Sequence, residues 1–398
     1  MIKPQTLKGF RDFLPIEAKK RQFVINILKQ VFESYGFEPL ETPALEYEEI
    51  LLGKYGDEGD KLMYRFEDNG KRKVTLRYDQ TVPLARVIAQ YQNELPMPFK
   101  RYQIQNVWRA DNTQKGRYRE FLQCDADIVD SSSPLADSEI ITLALKSLEK
   151  LGFKNFTTLI NSREVLRKSG ATQDFIRILD KQDRISKDEF LKLLSEVKKE
   201  DSQAYEYLKN SKSEDDSSLK EIFKNKNFNL FYLPTLARGL GYYTGVIFEM
   251  KIDGYGAGSV CGGGRYDNLI GTFAGKQIPA VGFSFGFDRL MEAMEELKLF
   301  PTELVTTKVL VTVFSKELEN KSLEIAKILR DKNINTEIYL DQDAKMEKQL
   351  KYADKKQIPY VVIIGPDEAK NNTVTVKNLK TREQKIMDID KLVAILSD

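Results

Sequence analysis

The chain has 398 residues, of which 62 are Lys or Arg, 60 are Asp or Glu and none is His, so its formal charge is +2. A hydrophobic fraction of 41% and a charged fraction of 31% are typical of a folded globular protein. The absence of histidine excludes Ser-His-Asp and Cys-His catalysis, HExxH metalloproteases and His-ligated metals. Any chemistry must then use carboxylates, arginine, lysine, tyrosine, backbone groups or an ion carried by a substrate.

Three further features of the sequence narrow the class of protein: its length, its cysteines and its apolar runs. A chain of 398 residues predicts two or three domains, because single cores stop growing near about 250–300 residues. Cys124 and Cys261 are too few for a disulfide framework or a four-cysteine zinc site, and they indicate a reducing cytosol. The apolar runs are too short to span a bilayer, and the N-terminus has no apolar signal region. We therefore expect a cytoplasmic protein without a membrane partner.

The first two-thirds of the chain alternate between helical and strand patterns. In chain order, the patterns predict a helix over 15–35, a hairpin of 62–67 and 73–78 around Asp68-Asn69-Gly70, a strand pair of 101–109 and 119–129, and a helix over 135–151. Residues 165–227 are helical and highly charged, which favours an insertion rather than part of a sheet. Strand character returns at 242–251 and 281–286, on either side of a glycine-rich stretch.

After Pro301 the pattern changes to alternating strands and helices. The predicted order is strand 309–314, helix 317–331, strand 336–340, helix 344–355 and strand 360–364. This order predicts a small parallel or mixed α/β domain, with a boundary near 300–306.

Polar residues follow one face of the predicted strand 119–129. Phe121, Gln123, Asp125 and Asp127 alternate and therefore share a face. The preceding strand and loop add four cations, Arg109, Lys115, Arg117 and Arg119. Two carboxylates opposite several cations fit a small zwitterion bound beside a polyphosphate. A solvated two-stranded ribbon with cross-strand ion pairs explains the same pattern equally well.

Three later features are each open to two readings. Arg238 precedes Tyr242 and Tyr243, which suit either a site or a core strand with aromatic packing. The glycine run at 254–264 contains no GK[ST], so it is not a P-loop, but it permits close approach of a ligand or a tight turn. Arg289 stands near the start of a helix, where it suits a phosphate contact or an exposed surface.

Taken together, the segments resemble the histidyl-tRNA synthetase family, which belongs to class II of the aminoacyl-tRNA synthetases. The segments that carry the resemblance are KGFRDFLP (8–15), LRYDQTVPLAR (76–86), VWRADNTQKGRYREFLQCDADIV (107–129), ARGLGYYTG (237–245), GGGRYD (262–267), residues 280–290 and QLKYADKKQIPYVVIIG (349–365). Residues 107–129 resemble class II motif 2, and 280–290 resemble motif 3. The helix and strand ending at Pro43 look like motif 1, which implies a homodimer.

The resemblance implies an α+β class II catalytic domain, an antiparallel sheet flanked by helices, plus a C-terminal α/β anticodon-binding domain. The implied segments are a first catalytic part at 1–164, a helical insertion at 165–227, a second catalytic part at 228–303, and the anticodon-binding domain at 304–398. The implied activity is ligation of L-histidine to its tRNA through a histidyl-adenylate, with ATP as substrate, Mg²⁺ as cofactor and no metal site on the protein.

The resemblance also implies roles for single residues. Arg109 and Arg238 match the two arginines at the α-phosphate of ATP and are the implied catalytic groups. The implied histidine-binding residues are Asp79, Gln80, Thr81, Arg109, Gln123, Asp127, Arg238, Tyr242, Tyr243 and Tyr266. The implied ATP-binding residues are Arg109, Asp111, Arg117, Tyr118, Phe121 and Arg289.

One position departs from the family pattern, and one alternative function remains. The family usually has GLDYY where this chain has GLGYY, so Gly241 replaces an aspartate. The alternative is a non-catalytic paralogue that resembles the regulatory subunit of ATP phosphoribosyltransferase. Such a protein keeps the fold but loses the ATP motifs and the anticodon-binding domain. Here Arg109, Arg238, Arg289 and a C-terminal α/β pattern are all present.

Overall fold

A computed structural model describes residues 2–113, 116–182, 185–213, 216–223, 230–238, 241–302, 304 and 306–397. The chain divides into two compact units, Met1–Phe300 and Pro301–Asp398. Lys115, residues 224–227 of the predicted insertion, and residues 239–240 of the block 237–245 lie outside the described residues.

The strands of the first unit form two sheets. They are β1 (Glu38–Pro39), β2 (Leu45–Tyr47), β3 (Arg65–Glu67), β4 (Lys73–Leu76), β5 (Phe99–Trp108), β6 (Glu120–Val129), β7 (Phe156–Ser162), β8 (Leu230–Tyr232), β9 (Val246–Ile252), β10 (Cys261–Arg265) and β11 (Ala280–Gly286). The large sheet has the order β1-β5-β6-β11-β10-β9-β7-β8, and the small sheet has the order β2-β4-β3. The pairs β1–β5 and β7–β8 are parallel and the others are antiparallel.

Helices accompany these sheets along the whole unit. They are α1 (Pro15–Ser34), α2 (Glu48–Leu51), α3 (Gly56–Lys61), α4 (Thr81–Tyr91), α5 (Pro134–Lys150), α6 (Arg163–Lys168), α7 (Gln173–Lys181), α8 (Lys187–Ser195), α9 (Lys199–Asn210), α10 (Ser217–Phe223), α11 (Gly271–Ala274) and α12 (Phe287–Glu296). The sequence-predicted antiparallel sheet flanked by helices is confirmed, as are the hairpin β3–β4, the pair β5–β6, and a helical stretch after β7.

Helix α1 follows directly from its sequence. Leu28 and Phe32 belong to an apolar stripe that is buried in the core of the unit. Pro15 occupies the first turn, where its missing N–H is not needed. Gly36, just beyond the helix, has φ +75°, a conformation that glycine adopts without strain.

The predicted strand 242–251 begins later than expected, at Val246. The backbone before it is tied to other segments: the N–H of Thr244 donates to the Arg265 carbonyl at 2.8 Å, and the Gly245 carbonyl accepts from the N–H of Arg163 at 2.8 Å. The tyrosine pair 242–243 therefore lies just before the strand, so the strand part of the core-strand interpretation is wrong. Its aromatic packing is present, because the two ring centroids are 4.9 Å apart and Tyr243 belongs to the buried core.

The second unit has its own sheet and cores. Its elements are β12 (Val309–Val311), a 3₁₀ turn (Lys316–Leu318), α13 (Glu319–Asp331), β13 (Thr336–Ile338), α14 (Met346–Lys355), β14 (Tyr360–Ile363), α15 (Pro366–Asn371), β15 (Thr373–Asn378), β16 (Gln384–Asp388) and α16 (Ile389–Ser397). The order is β13-β12-β14-β15-β16, with β12 parallel to β13 and β14 and the last two strands antiparallel. The predicted mixed α/β domain is confirmed. Over the described part of the chain, the helices are all too short or too polar to cross a bilayer.

Candidate active site

The candidate site lies on one face of the large sheet, where five antiparallel strands place matching residues in rows. One row runs Arg101, Asp127, Gly282, Gly264 and Ile247, and the next runs Gln103, Asp125, Ser284, Gly262 and Glu249. Residues directly opposite in antiparallel strands point to the same face. The polar face predicted for β6 therefore continues across its neighbours. The solvated two-stranded ribbon is excluded, because β6 is an interior strand of an eight-stranded sheet.

Glycines in these rows leave room for site side chains. A Cβ on Gly282 would lie 1.9 Å from Oδ1 of Asp127, and one on Gly262 would lie 1.9 Å from Nη1 of Arg238. A Cβ on Gly264 would lie 2.5 Å from the Val246 carbonyl oxygen and 2.9 Å from Cδ1 of Tyr243. Gly262 and Gly264 therefore lie in a strand where the absence of side chains leaves space for neighbouring side chains. Neither interpretation of the glycine run, close approach of a ligand or a tight turn, includes this arrangement.

One cavity on this face gathers nearly all the residues singled out from the sequence. Its lining includes Asp79, Thr81, Arg109, Asp111, Arg117, Tyr118, Phe121, Gln123, Asp127, Arg238, Tyr242, Tyr243, Tyr266 and Arg289. Gln80 lies behind the wall, where its amide nitrogen donates to the carbonyl oxygens of Gln105 at 2.8 Å and Gln123 at 3.2 Å. Arg119 donates from Nε to the Asp111 carbonyl at 3.1 Å and does not line the cavity.

Asp79 is held at the start of α4 with one oxygen engaged and the other facing the cavity. Its Oδ1 accepts from the Tyr55 hydroxyl at 2.7 Å and from the N–H groups of Thr81 and Val82 at 3.1 Å. Its Oδ2 is buried and has no hydrogen-bond partner among the described residues. Burial raises the pKa of the Asp79 carboxyl, while the Tyr55 hydroxyl acts to lower it. The free oxygen suits a ligand that donates N–H groups.

Two further acids lie deeper on β6. The Asp127 carboxylate accepts from the Tyr266 hydroxyl and pairs with Nη2 of Arg101 at 2.7 Å. Burial raises the pKa of Asp125 to about 7; the Arg101 charge acts to lower it, and the Asp127 charge adds to the rise. Within the part of the chain that the structure describes, Oδ1 of Asp125 and Oε1 of Gln123 are buried and have no hydrogen-bond partners. These side chains therefore present several hydrogen-bond acceptors to a cationic or N–H-bearing ligand.

A pH-dependent gain in stability is expected for Asp125→Asn. The pKa of Asp125 is far above its ordinary value of 3.8, so the native state carries an unfavourable buried charge above about pH 7 and sheds it as the pH falls. Asparagine removes that charge. Its melting temperature should exceed that of the wild type by roughly 2–6 °C above the folded pKa, with the gain shrinking as the pH falls below it. A gain that is equal at all pH values would show that charge burial is not its cause.

Arginines line the same cavity. Arg109 lies over the rings of Tyr78 and Phe121, at 4.4 and 5.2 Å from their centroids, and its Nε donates to the Tyr78 carbonyl at 3.0 Å. Nη1 of Arg238 pairs with Glu249 at 2.7 Å, and the other oxygen of Glu249 accepts from the Ser259 hydroxyl at 2.5 Å. These contacts fix the positions of two guanidinium groups, a chemistry that suits phosphate or carboxylate oxygens.

The N-terminal segment KGFRDFLP (8–15) also contacts residues of the cavity wall. The Arg11 guanidinium lies 3.2 Å from the centroid of the Tyr118 ring and pairs with Asp288 at 2.8 Å. Nη1 of Arg289 donates to the Ser259 carbonyl at 3.0 Å. In the described ranges, no three acidic or cysteine side chains are grouped as ligands for a metal ion.

Family models account for most of the chain. A model described as histidyl-tRNA synthetase matches residues 9–290, and one described as anticodon binding domain matches residues 308–398. The chain belongs to the histidyl-tRNA synthetase family. The sequence-level resemblance is thereby confirmed.

Individual relatives agree with this membership. A histidine–tRNA ligase of Cytophaga hutchinsonii is 39% identical, with 99% of each chain covered. The crystal structure of histidyl-tRNA synthetase from Nostoc has a TM-score of 0.81 and 30% identity, and the match covers 100% of this chain and 99% of that one. A Bacillus halodurans structure titled as an ATP phosphoribosyltransferase regulatory subunit/histidyl-tRNA synthetase has a TM-score of 0.67 at 21% identity over 88% of this chain, and it shows the shared fold alone.

Several residues of the site were not predicted from the sequence. Arg101, Glu249, Ser259 and Ser284 contact or lie beside the predicted side chains. The alternation on β5 could have placed Arg101 on one face with 103 and 105. Only the strand register shows that this face adjoins Asp127. At Gly241, an added Cβ would meet no heavy atom of the described residues within 4 Å, so they leave space for the first side-chain atom of the aspartate usual in the family.

Proposed function

We propose that this chain ligates L-histidine to its tRNA in an ATP-dependent reaction that passes through histidyl-adenylate. The observation that carries the proposal is one cavity lined both by buried acceptors and by oriented arginines. A zwitterionic amino acid beside a polyphosphate matches that charge arrangement. Full-length likeness to histidine–tRNA ligases supports the same assignment.

The buried carboxylate and amide acceptors of the cavity suit binding of the amino acid. Oδ2 of Asp79 would accept from the α-ammonium group, and the amide of Gln123 and the Asp127 carboxylate would bind the imidazole or the ammonium. Tyr242 and Tyr266 have ring centroids 5.8 Å apart at 68°, and they would form an aromatic wall against the imidazole. Thr81 and Tyr243 line the same region. Gln80 would act indirectly, through its hydrogen bonds to the backbones of β5 and β6.

The arginines suit the phosphates. The substrate carboxylate oxygen attacks the α-phosphorus, a new P–O bond forms, and the bond to the leaving pyrophosphate breaks. Arg109 and Arg238 would neutralise charge on the α-phosphate, while Arg289 would contact the outer phosphates. Tyr118 and Phe121 would pack on adenine, with Asp111 and Arg117 at the same wall. Mg²⁺, which neutralises charge between phosphates, would arrive with ATP rather than on a cluster of protein ligands.

The second step needs no protein imidazole either. The terminal adenosine hydroxyl of the tRNA attacks the carbonyl carbon of the adenylate, and AMP leaves. A phosphate oxygen of the adenylate would act as the base that takes the hydroxyl proton. A chain with no histidine is therefore chemically competent for both steps.

The regulatory-subunit alternative is less supported. It would need neither the three cavity arginines nor an anticodon-binding domain, and this chain has Arg109, Arg238 and Arg289 in one cavity and a family match at 308–398.

An ATP–pyrophosphate exchange assay with each amino acid tests the proposal. Exchange should require histidine, because the acceptors of the cavity suit an imidazole and an ammonium group together. Exchange driven by another amino acid, or no exchange with a folded enzyme that still binds histidine, would contradict the assignment.

A cytoplasmic homodimer with a separable C-terminal unit is part of the proposal. The buried free thiols of Cys124 and Cys261 support a reducing compartment. The two units have separate cores, so a chain ending at Phe300 should form adenylate but charge tRNA poorly. Sedimentation of the full chain should show a dimer. A monomer at micromolar concentration, or full tRNA charging by the shortened chain, would contradict these expectations.

A further inference from the structure

Arg101 on β5 is a buried cation that does not touch the cavity. Its side chain is 0% exposed, and it is the largest of the fully buried side chains. Nη2 pairs with Asp127 at 2.7 Å, and weaker contacts run to Oε1 of Gln103 at 3.3 Å and the Gln80 carbonyl at 3.4 Å. Burying an arginine is costly unless its charge is compensated. Asp127 is the acid whose charge compensates that of Arg101.

That partner is held from two sides. Arg101 approaches one oxygen of Asp127, and the Tyr266 hydroxyl donates to the other. Gly282 leaves the space in which the carboxylate lies, since a Cβ there would be 2.5 Å from its Cγ. The carboxylate is thus held by a hydrogen bond from one side and an ion pair from the other, and a cation beside it favours the ionised form.

We propose that Arg101 is a positioning residue for the amino-acid site, which keeps the Asp127 carboxylate ionised and turned toward histidine without contacting the substrate. The inference rests on the proposed function and deepens it. It adds a determinant of amino-acid selection that lies outside the cavity wall, on the strand next to β6.

The ionised state of Asp127 should depend strongly on Arg101, because of the groups that surround the carboxylate. Tyr266 follows β10, Asp79 precedes α4, Tyr243 precedes β9 and Asp125 shares β6, and each is neutral or acidic. Burial raises the pKa of Asp127, and the positive charge of Arg101 opposes that rise. Without Arg101 the pKa of Asp127 should rise further, so the carboxylate is protonated as the pH falls and its attraction for the substrate is lost.

The test compares Arg101→Met and Arg101→Gln with the conservative Arg101→Lys. Histidine KM should rise about 10–100-fold in the two neutral variants, with ATP KM and kcat within about threefold of wild type. The rise, taken as a ratio to wild type, should be larger near about pH 6.5 than near about pH 8.5, and the ratio cancels the titration of the substrate itself. Lysine should restore most of the affinity and the pH profile of the wild type.

Arg265→Met is the matched control. Arg265 is also a buried arginine paired with an aspartate, Asp137, at 2.9 Å, but it points to the opposite face of the sheet from Gly264. Its loss should lower the melting temperature and leave histidine KM within about threefold of wild type. An equal rise of histidine KM in this control would overturn the inference, because general destabilisation would then explain the effect.

A second readout needs no activity. The melting-temperature deficit of Arg101→Gln should be larger near about pH 8.5 than near about pH 6.5, since protonation of the Asp127 carboxylate, left without its cation, relieves the native state at lower pH. Failure of wild-type exchange with histidine would overturn the proposed function, and this melting profile would still test the inference. A folded neutral variant with wild-type histidine KM, or a deficit that is constant with pH, would overturn it. If Arg101→Met does not fold, Arg101→Gln and Arg101→Lys carry the comparison.

Discussion

Arg238→Ala should lower kcat for adenylate formation by about 10²–10³ while histidine KM changes little. The guanidinium is oriented by Glu249 at 2.7 Å and lies over Gly262, at the wall of the cavity. A positive charge at the α-phosphate interacts most strongly with the transition state, because charge accumulates there as pyrophosphate departs. Pyrophosphate exchange at saturating histidine and ATP measures the effect.

Two companion variants sharpen this result. Glu249→Gln keeps Arg238 but removes its charged partner, so its kcat should fall less than that of Arg238→Ala, on the order of 10-fold. Arg167→Ala removes an exposed arginine whose side chain is 74% accessible, and its kinetics should match the wild type. A kcat of Arg238→Ala within a few-fold of wild type would show that the arginine has another role.

Gly282→Ala should raise histidine KM by about 10–100-fold, although it adds only a methyl group. The new Cβ would lie 1.9 Å from Oδ1 of Asp127 and 2.8 Å from the Ala126 carbonyl oxygen, so the carboxylate must leave its position between Arg101 and Tyr266. Overpacking of this kind also destabilises the fold, by roughly 1–3 kcal/mol. Histidine titrations by calorimetry, beside thermal melting, separate the loss of binding from the loss of stability.

Gly256→Ala is the matched control for that change. A Cβ at Gly256 would meet no heavy atom within 4 Å in the described ranges, so both the melting temperature and histidine KM should stay near the wild-type values. If Gly282→Ala binds histidine as tightly as this control, the proposed place of Asp127 in the amino-acid site is wrong.

Local patterns determined much of this protein in advance. Alternation along 119–129 placed Gln123, Asp125 and Asp127 on one face, and that face lines the cavity. The absence of histidine excluded whole classes of catalysis from the composition alone. The change of pattern after Pro301 indicated a second α/β core, and such a core is present. Each of these depends on periodicity or composition, which a chain displays without its partners.

Only the tertiary structure decided which residues meet across strands. Arg101 and Asp127 are 26 positions apart by their numbers, and their pairing depends on the register of β5 against β6. Glu249 reaches the same face only through β10 and β11, with glycines between that leave space for Arg238 and Asp127. Register is set by the packing of the whole sheet, since a slip of one residue would turn every side chain to the other face. The sequence by itself therefore determined the chemistry available to the site, and the packing of five strands decided which charges compensate one another within it.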